Sequence, residues 1–348
     1  MTSTRTILTF LGILAAIGIF SALSLATSIF APVACALFII AIVWPMQSRL
    51  QSSLPQLLAL AIVVCATVVV FLLFASVVGW AFGRIGRSLI TDAPRFQLLY
   101  DQAATWLEGH GIVVTGLWAE HFNVGWLIRT LHGVTGRLNT AISFWLVVLV
   151  YVILGLLEVK TINRKLRTHL NDDTARFLIA GSTFTASKFR RYLLIRTIMS
   201  IATGVMVWAL AVTSGLQLAT EWGVIAFTLN YIPFIGPFIA TLFPTLYALA
   251  QFESLQAALL VFACLNVIQF VIGSYIEPRV SGSSLAVSPF IVLFSVFFWT
   301  YMWGLFGAFI GVPITIAALT FCSQHPSTRW VAELLGAPDE KPALTDKG

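Results

Sequence analysis

Asn230-Tyr231-Ile232-Pro233-Phe234-Ile235-Gly236-Pro237 interrupts an apolar run, residues 222–250, that is long enough to cross a bilayer. Two prolines four residues apart remove two backbone donors and forbid regular helix between them, while Gly236 admits a turn. In lipid the carbonyls freed by such a break must be met by protein or by a water-lined cavity. Interrupted helices of this kind commonly line substrate or ion cavities in transporters. A proline kink inside a plain span is the other reading. The polar Asn230 directly before the break favours a discontinuous element.

A second broken segment lies further on. Residues 288–321 form a 34-residue apolar stretch interrupted by Gly304, Gly307, Gly311 and Pro313. A straight helix of that length would reach ~51 Å, against a hydrocarbon core of ~30 Å. It must tilt strongly, project from the membrane or double back, and two re-entrant hairpins at 222–250 and 288–321 are the favoured pair. Ser288-Pro289 reads as an N-cap followed by proline at the first helical position. Between the two segments, the span 255–275 carries Asn266, Gln269, Gly273 and Glu277 at i, i+3, i+7 and i+11, one helical face. Such a face is either hydrogen-bonding glue between helices or the lining of a pathway. Glu277-Pro278-Arg279 then ends the helix at an opposed charge pair.

The rest of the chain matches this membrane setting. Of 348 residues, 59% are hydrophobic and only 10% are charged, too few to give a soluble domain its polar skin. Further spans are expected at 7–26, 29–43, 57–80, 142–157 and 198–213. About eight membrane segments make an all-α polytopic membrane protein, with 1–348 as a single transmembrane transporter domain. A cleaved leader is disfavoured for 7–26, because its apolar core is long and a second span follows at once.

Nine of the twenty basic residues lie between Lys160 and Arg196, opposed there only by Asp172 and Asp173. The positive-inside bias makes 160–196 a basic cytoplasmic loop and puts both termini in the cytoplasm. Region 84–139 then faces outside. Leu89, Phe96, Leu99, Ala103 and Trp106 approximate helical spacing, and Gly109-His110-Gly111 would stop that helix, so this region reads as interfacial helices. An outer-leaflet recognition cap is its alternative. Clustered charge does not make a nucleic-acid site here, and none is expected. Cys35, Cys65, Cys264 and Cys322 have no metal-ligand spacing and read as small apolar residues.

Catalytic signatures do not emerge. The chain has no GxxxxGK[ST] phosphate loop, HExxH or GxSxG, and the Gly83-Arg84-Ile85-Gly86 pair lacks dinucleotide-site context. His110, His121 and His132 recur every eleven residues, but glycines at 109, 111, 125 and 133 argue against one continuous helix holding a metal. No enzyme activity, cofactor or metal is expected.

Leu229 to Pro237, Ile276-Glu277-Pro278-Arg279, Ser284-Leu285-Ala286-Val287-Ser288-Pro289, Trp303-Gly304-Leu305-Phe306-Gly307-Ala308 and Val312-Pro313 together resemble the autoinducer-2 exporter family, also described as PerM-type permeases. Tyr192-Leu193-Leu194-Ile195-Arg196-Thr197 fits that family's entry into its fifth span. The resemblance covers nearly the whole chain and is most specific from about Tyr192 to Thr320. It implies a homo-oligomeric inner-membrane transporter. Some members are associated with autoinducer-2 export and others with sodium/proton exchange.

The expectation is therefore a secondary transporter exporting a small polar organic solute across the lipid bilayer, with an autoinducer-2-like molecule as one candidate. Its pathway would run past Asn230, Tyr231, Pro233, Gly236, Pro237, Asn266, Gln269, Gly304, Gly307 and Pro313, with Glu277 and Arg279 paired at a mouth or hinge. A sodium/proton antiporter is the first alternative, although Glu158, Glu221, Glu253 and Glu277 all lie near span ends. A non-transporting scaffold is the second, and broken helices in lipid would serve it poorly.

Overall fold

The computed structural model describes residues 2–110, 124–281, 287–324 and 328–336. Among the described residues twelve α-helices follow one another: α1 (Thr2–Leu25), α2 (Thr27–Leu50), α3 (Gln56–Thr91), α4 (Ala93–Gly109), α5 (Val124–His169), α6 (Asp172–Thr213), α7 (Ala219–Leu229), α8 (Ile235–Phe252), α9 (Leu255–Phe270), α10 (Glu277–Ser281), α11 (Pro289–Gln324) and α12 (Arg329–Leu335). A π-helical turn, Val271–Ile276, joins α9 to α10. Seven stretches among the described residues are long and apolar enough to cross a membrane. In their most apolar windows only 17–44% of residues are buried within the chain. Helices that are apolar all round and mostly uncovered have lipid as their solvent. This is a multi-pass membrane protein.

Element boundaries explain themselves locally. Helix α4 stops at Gly109, as the glycine pair around His110 predicts. Pro289 opens α11 as expected, with the Val292 N–H donating to the Ser288 carbonyl at 3.0 Å. The basic 160–196 region is a helical turn rather than a loop. There α5 runs on to His169 and α6 begins at Asp172, with Asp172 and Asp173 favourably placed at its positive end. His121 and residues 282–286 lie outside the described residues.

Contacts divide the chain into two compact units, residues 1–64, 144–192 and 283–348 in one and 65–143 and 193–282 in the other. The first unit packs Ala31, Cys35 and Ala36 of α2, Val148, Val152 and Leu156 of α5, and Met302, Trp303 and Ile310 of α11. Within it, α11 is two arms rather than one rod. Helical geometry fails at Trp303 (φ −132°, ψ 18°) and Gly304 (φ 61°, ψ −143°). The Trp299 indole N–H reaches Thr315 Oγ1 at 3.3 Å, whereas in a straight helix those residues stand ~24 Å apart. A Cβ on Gly307 would strike the Trp299 carbonyl, and one on Gly311 would lie 2.8 Å from the Trp299 Cβ. Glycine therefore lets the arms close. The tip is fixed by the Trp303 indole N–H on the Leu23 carbonyl and by Thr27 Oγ1 on the Met302 carbonyl, both at 3.2 Å. Of the three options for this long segment, doubling back is the one adopted.

The second unit repeats the device with α7 and α8. Trp222 and Tyr247 pack with ring centroids 5.6 Å apart, although ~38 Å of straight helix would separate them. The open end of this hairpin is tied where α6 gives way to α7. The Gln217 N–H donates to Gln251 Oε1, and Gln251 Nε2 donates to the Gly215 carbonyl, both at 2.8 Å.

Candidate functional site

The closed end of the α7–α8 hairpin groups buried polar side chains, Asn230 among them. After Leu229 the chain turns through an Ile232 N–H bond to the Leu229 carbonyl at 2.9 Å. It then makes a three-residue γ-turn, in which the Ile235 N–H donates to the Pro233 carbonyl at 2.7 Å across Phe234 (φ 62°, ψ −55°). That positive-φ form of the γ-turn is rare and strained. A non-glycine residue held there costs about 1–3 kcal/mol, and such strain gathers at ligand clamps and switch regions. Pro233 ends the preceding helix geometry, and Pro237 sits in the first turn of α8, where a missing N–H costs nothing. Gly236 presses on the end of α7 so closely that a Cβ would collide with the Leu229 carbonyl.

Helix α6 supplies the partners. Asn230, 5% exposed, donates from Nδ2 to Ser200 Oγ at 3.2 Å. The Tyr231 hydroxyl donates to Thr197 Oγ1 at 2.9 Å. One turn away, Arg196, 6% exposed, bonds Glu277 Oε1 at 2.5 Å. Arg196, Thr197 and Ser200 fall at i, i+1 and i+4, so one side of α6 meets both the hairpin tip and the start of α10. Phe74 of α3 closes the apolar flank, 6.5 Å from the Tyr231 ring.

This arrangement corrects one expectation. Glu277 pairs with Arg196, not Arg279, because residues two apart on a helix do not face each other. Arg279 instead places its guanidinium 3.8 Å from the Tyr275 ring centroid. The even face along 255–277 is also interrupted. Asn266 is exposed and donates to the Phe262 carbonyl of its own helix at 2.8 Å. Gln269 is half-buried and Gly273 exposed. The π turn winds more widely than α-helix, so Gly273 and Glu277 leave the register of Asn266. Thus Asn230, Tyr231, Pro233, Gly236 and Pro237 come together with Glu277, while Asn266 points away. Gly304 and Gly307 form the α11 tip, and Pro313 is buried in its second arm, all in the other unit.

Sequence reasoning missed Arg196, Thr197 and Ser200 as site residues, having counted Arg196 with the basic stretch. Their helical spacing at the head of an apolar run was the available signal. It also missed a polar cluster at the open end of the hairpin. There Ser88 Oγ lies 2.9 Å from both Asp92 Oδ2 and the Tyr247 hydroxyl, which stands 3.3 Å from Gln217 Oε1. Arg84 Nε lies 3.0 Å from Glu221 Oε1, without hydrogen-bond alignment, and the Glu221 side chain is 3% exposed. The hairpin is thus held to α3 at one end and to α6 at the other. Among the described residues no group of three His, Cys, Asp or Glu side chains could hold a metal ion.

Comparison with known proteins gives a consistent result. Residues 7–326 match the profile described as AI-2E family transporter. The AI-2 transport protein TqsA of Escherichia coli strain K12 is 29% identical over 312 residues, covering 89% of this chain and 90% of that protein. A Haemophilus influenzae protein, whose name gives transport provisionally and no solute, is 28% identical over 347 residues, covering 94% of this chain and 96% of its own. The similarly named YhhT of Escherichia coli strain K12 is 32% identical over 207 residues, 60% of this chain and 58% of that protein.

Proposed function

The chain belongs to the AI-2E family of transporters, and on that premise we propose that it exports a small, neutral, polar organic solute across the bacterial inner membrane by secondary transport. The observation that carries this reading is the break at the α7–α8 tip, strained at the exposed Phe234 and backed by the buried Asn230, with Tyr231, Thr197 and Ser200 grouped around it. These groups offer donors and acceptors without net charge, which suits a hydroxylated molecule better than an ion. The name of the relative TqsA makes an autoinducer-2-like solute the first to test. Transport would proceed by movement of the hairpin tip against α6, exchanging the Asn230–Ser200 and Tyr231–Thr197 bonds for bonds to solute. Pro233, Gly236 and Pro237 keep the tip from relaxing into helix, and Gly304, Gly307 and Pro313 do the same for α11. Glu277 and Arg196 neutralise each other at the mouth, with Arg279 beside them.

Both termini face the cytoplasm in this proposal, as the basic α5–α6 turn favours, and the transporter works as a homo-oligomer. The test is flux in proteoliposomes loaded with hydroxylated solutes, with and without proton and sodium gradients. Solute efflux that Asn230→Leu lowers at least tenfold, with folded protein unchanged, is the expected result. Normal efflux by Asn230→Leu at normal yield would remove Asn230 from the pathway. Gradient-driven sodium/proton exchange with no solute flux would replace the whole reading.

A further inference from the structure

The two arms of α11 open toward one end of the first unit, and α12 closes that end. The Ser288 N–H, one residue before the first arm, meets the Leu335 carbonyl at 3.5 Å, and Val287 forms an antiparallel bridge with Gly336. The second arm ends at Gln324, and α12 starts soon after it at Arg329. Its seven residues make ~10 Å of helix with three distinct sides. Arg329 and Glu333 pair across one turn, Nε to Oε1 at 2.8 Å, and both are exposed. Trp330 and Leu334, each one residue further on, point ~100° away from that pair. They are 62% and 71% exposed. The third side carries the half-buried Val331 and Leu335, and α12 packs on α11.

What covers Trp330 and Leu334 follows from where α12 sits. Helix α11 is one of the stretches long and apolar enough to cross a membrane, and Phe290, Phe294 and Phe297 stand exposed along one face of its first arm. Lipid contact on that arm therefore begins within one turn of Ser288, the residue that bonds α12. Leu334 immediately precedes the bonding residue Leu335, and Trp330 lies one turn further back. The apolar pair thus stands where hydrocarbon gives way to headgroups, with the charged pair on a separate side of the same helix. Tryptophan suits this boundary, because its large ring is apolar while its N–H finds a polar partner. By themselves two such side chains bury about 400 Å², half of the ~800 Å² per partner that a stable protein interface needs. We propose that α12 is an interfacial anchor: Trp330 and Leu334 insert into the headgroup–acyl boundary of one leaflet, leave Arg329 and Glu333 in water, and hold the open end of the α11 hairpin at that depth. Helices that lie in the interface sink an apolar face about 5–10 Å in this way. The anchor is independent of the solute pathway and of which leaflet is cytoplasmic.

The test uses the full chain in a background lacking the four native cysteines, with Arg329→Cys, Trp330→Cys, Glu333→Cys or Leu334→Cys added singly. Each is labelled with a nitroxide in phosphatidylcholine vesicles, and its relaxation by oxygen, which collects in lipid, is compared with that by a water-soluble nickel chelate. Positions 330 and 334 should favour oxygen about threefold more than positions 329 and 333 do. Adding Trp330→Asp to Leu334→Cys should remove about half of that preference. All four side chains are exposed, so the substitutions leave the packed core untouched. Nickel access as high at 330 and 334 as at 329 and 333 would leave the face in water, as a surface kept for a soluble partner would be, and overturns the proposal. Low access to both reagents would put protein on the face and overturn it too, a second copy being recognised by spectral broadening that dilution with unlabelled chain removes.

Discussion

Gly236 and Phe234 are two residues apart and face opposite constraints. A methyl at Gly236 meets main chain, which cannot swing aside, so Gly236→Ala should lower the unfolding temperature with a cost of about 1–3 kcal/mol. Phe234 already pays for a positive φ, and 49% of it is exposed. Phe234→Gly relieves about 1–3 kcal/mol of strain against about 0.5–1 kcal/mol of added chain entropy. A thermal melt in detergent should therefore rise, and if the strain drives tip movement, solute flux should fall in the same variant. Arg196 and Glu277 offer a third test. Glu277→Gln strands a buried guanidinium, a loss of about 3–5 kcal/mol, whereas Arg196→Gln/Glu277→Gln leaves no charge to strand. Size-exclusion profiles should show the single variant aggregating more than the double. Composition and hydropathy made the membrane class legible, and proline and glycine marked both tips. The Arg196–Glu277 pair was hidden because its partners are 81 residues apart, while Arg279 stood conspicuously close.

At the level of elements, each hairpin is closed by glycine against a carbonyl: Gly236 on Leu229 and Gly307 on Trp299. Segment length and helix breakers favoured the doubling back but left a kinked or tilted crossing open, because proline and glycine mark where a helix breaks and not which way the chain leaves. The π turn at 271–276 was not legible, because Val271-Ile272-Gly273-Ser274-Tyr275-Ile276 has nothing that distinguishes a wide turn from a regular one. Its position beside Glu277 makes it testable. Deleting Ser274 should convert the turn to α-helix and rotate Glu277 off Arg196. Cysteines substituted at 196 and 277 should then lose the oxidative cross-link that they form in the undeleted background.

For the whole molecule, the hairpins fix a parity that terminal tags cannot read. If both return to the side they leave, Ser281 lies on the cytoplasmic side. In a background lacking the four native cysteines, Ser281→Cys should resist an impermeant thiol reagent in intact cells and react after permeabilisation. Rapid labelling of intact cells would instead require two full crossings. The shortness of α7 bears on how such a chain is made. Eleven residues of helix cover ~17 Å, about half of a ~30 Å core, so α7 cannot lodge in the bilayer by itself. It must wait at the membrane surface until α8 has left the ribosome, and the two arms then insert as one body. Nascent chains halted just after Leu229 should accordingly be extractable at that helix, and become resistant once Phe252 has emerged.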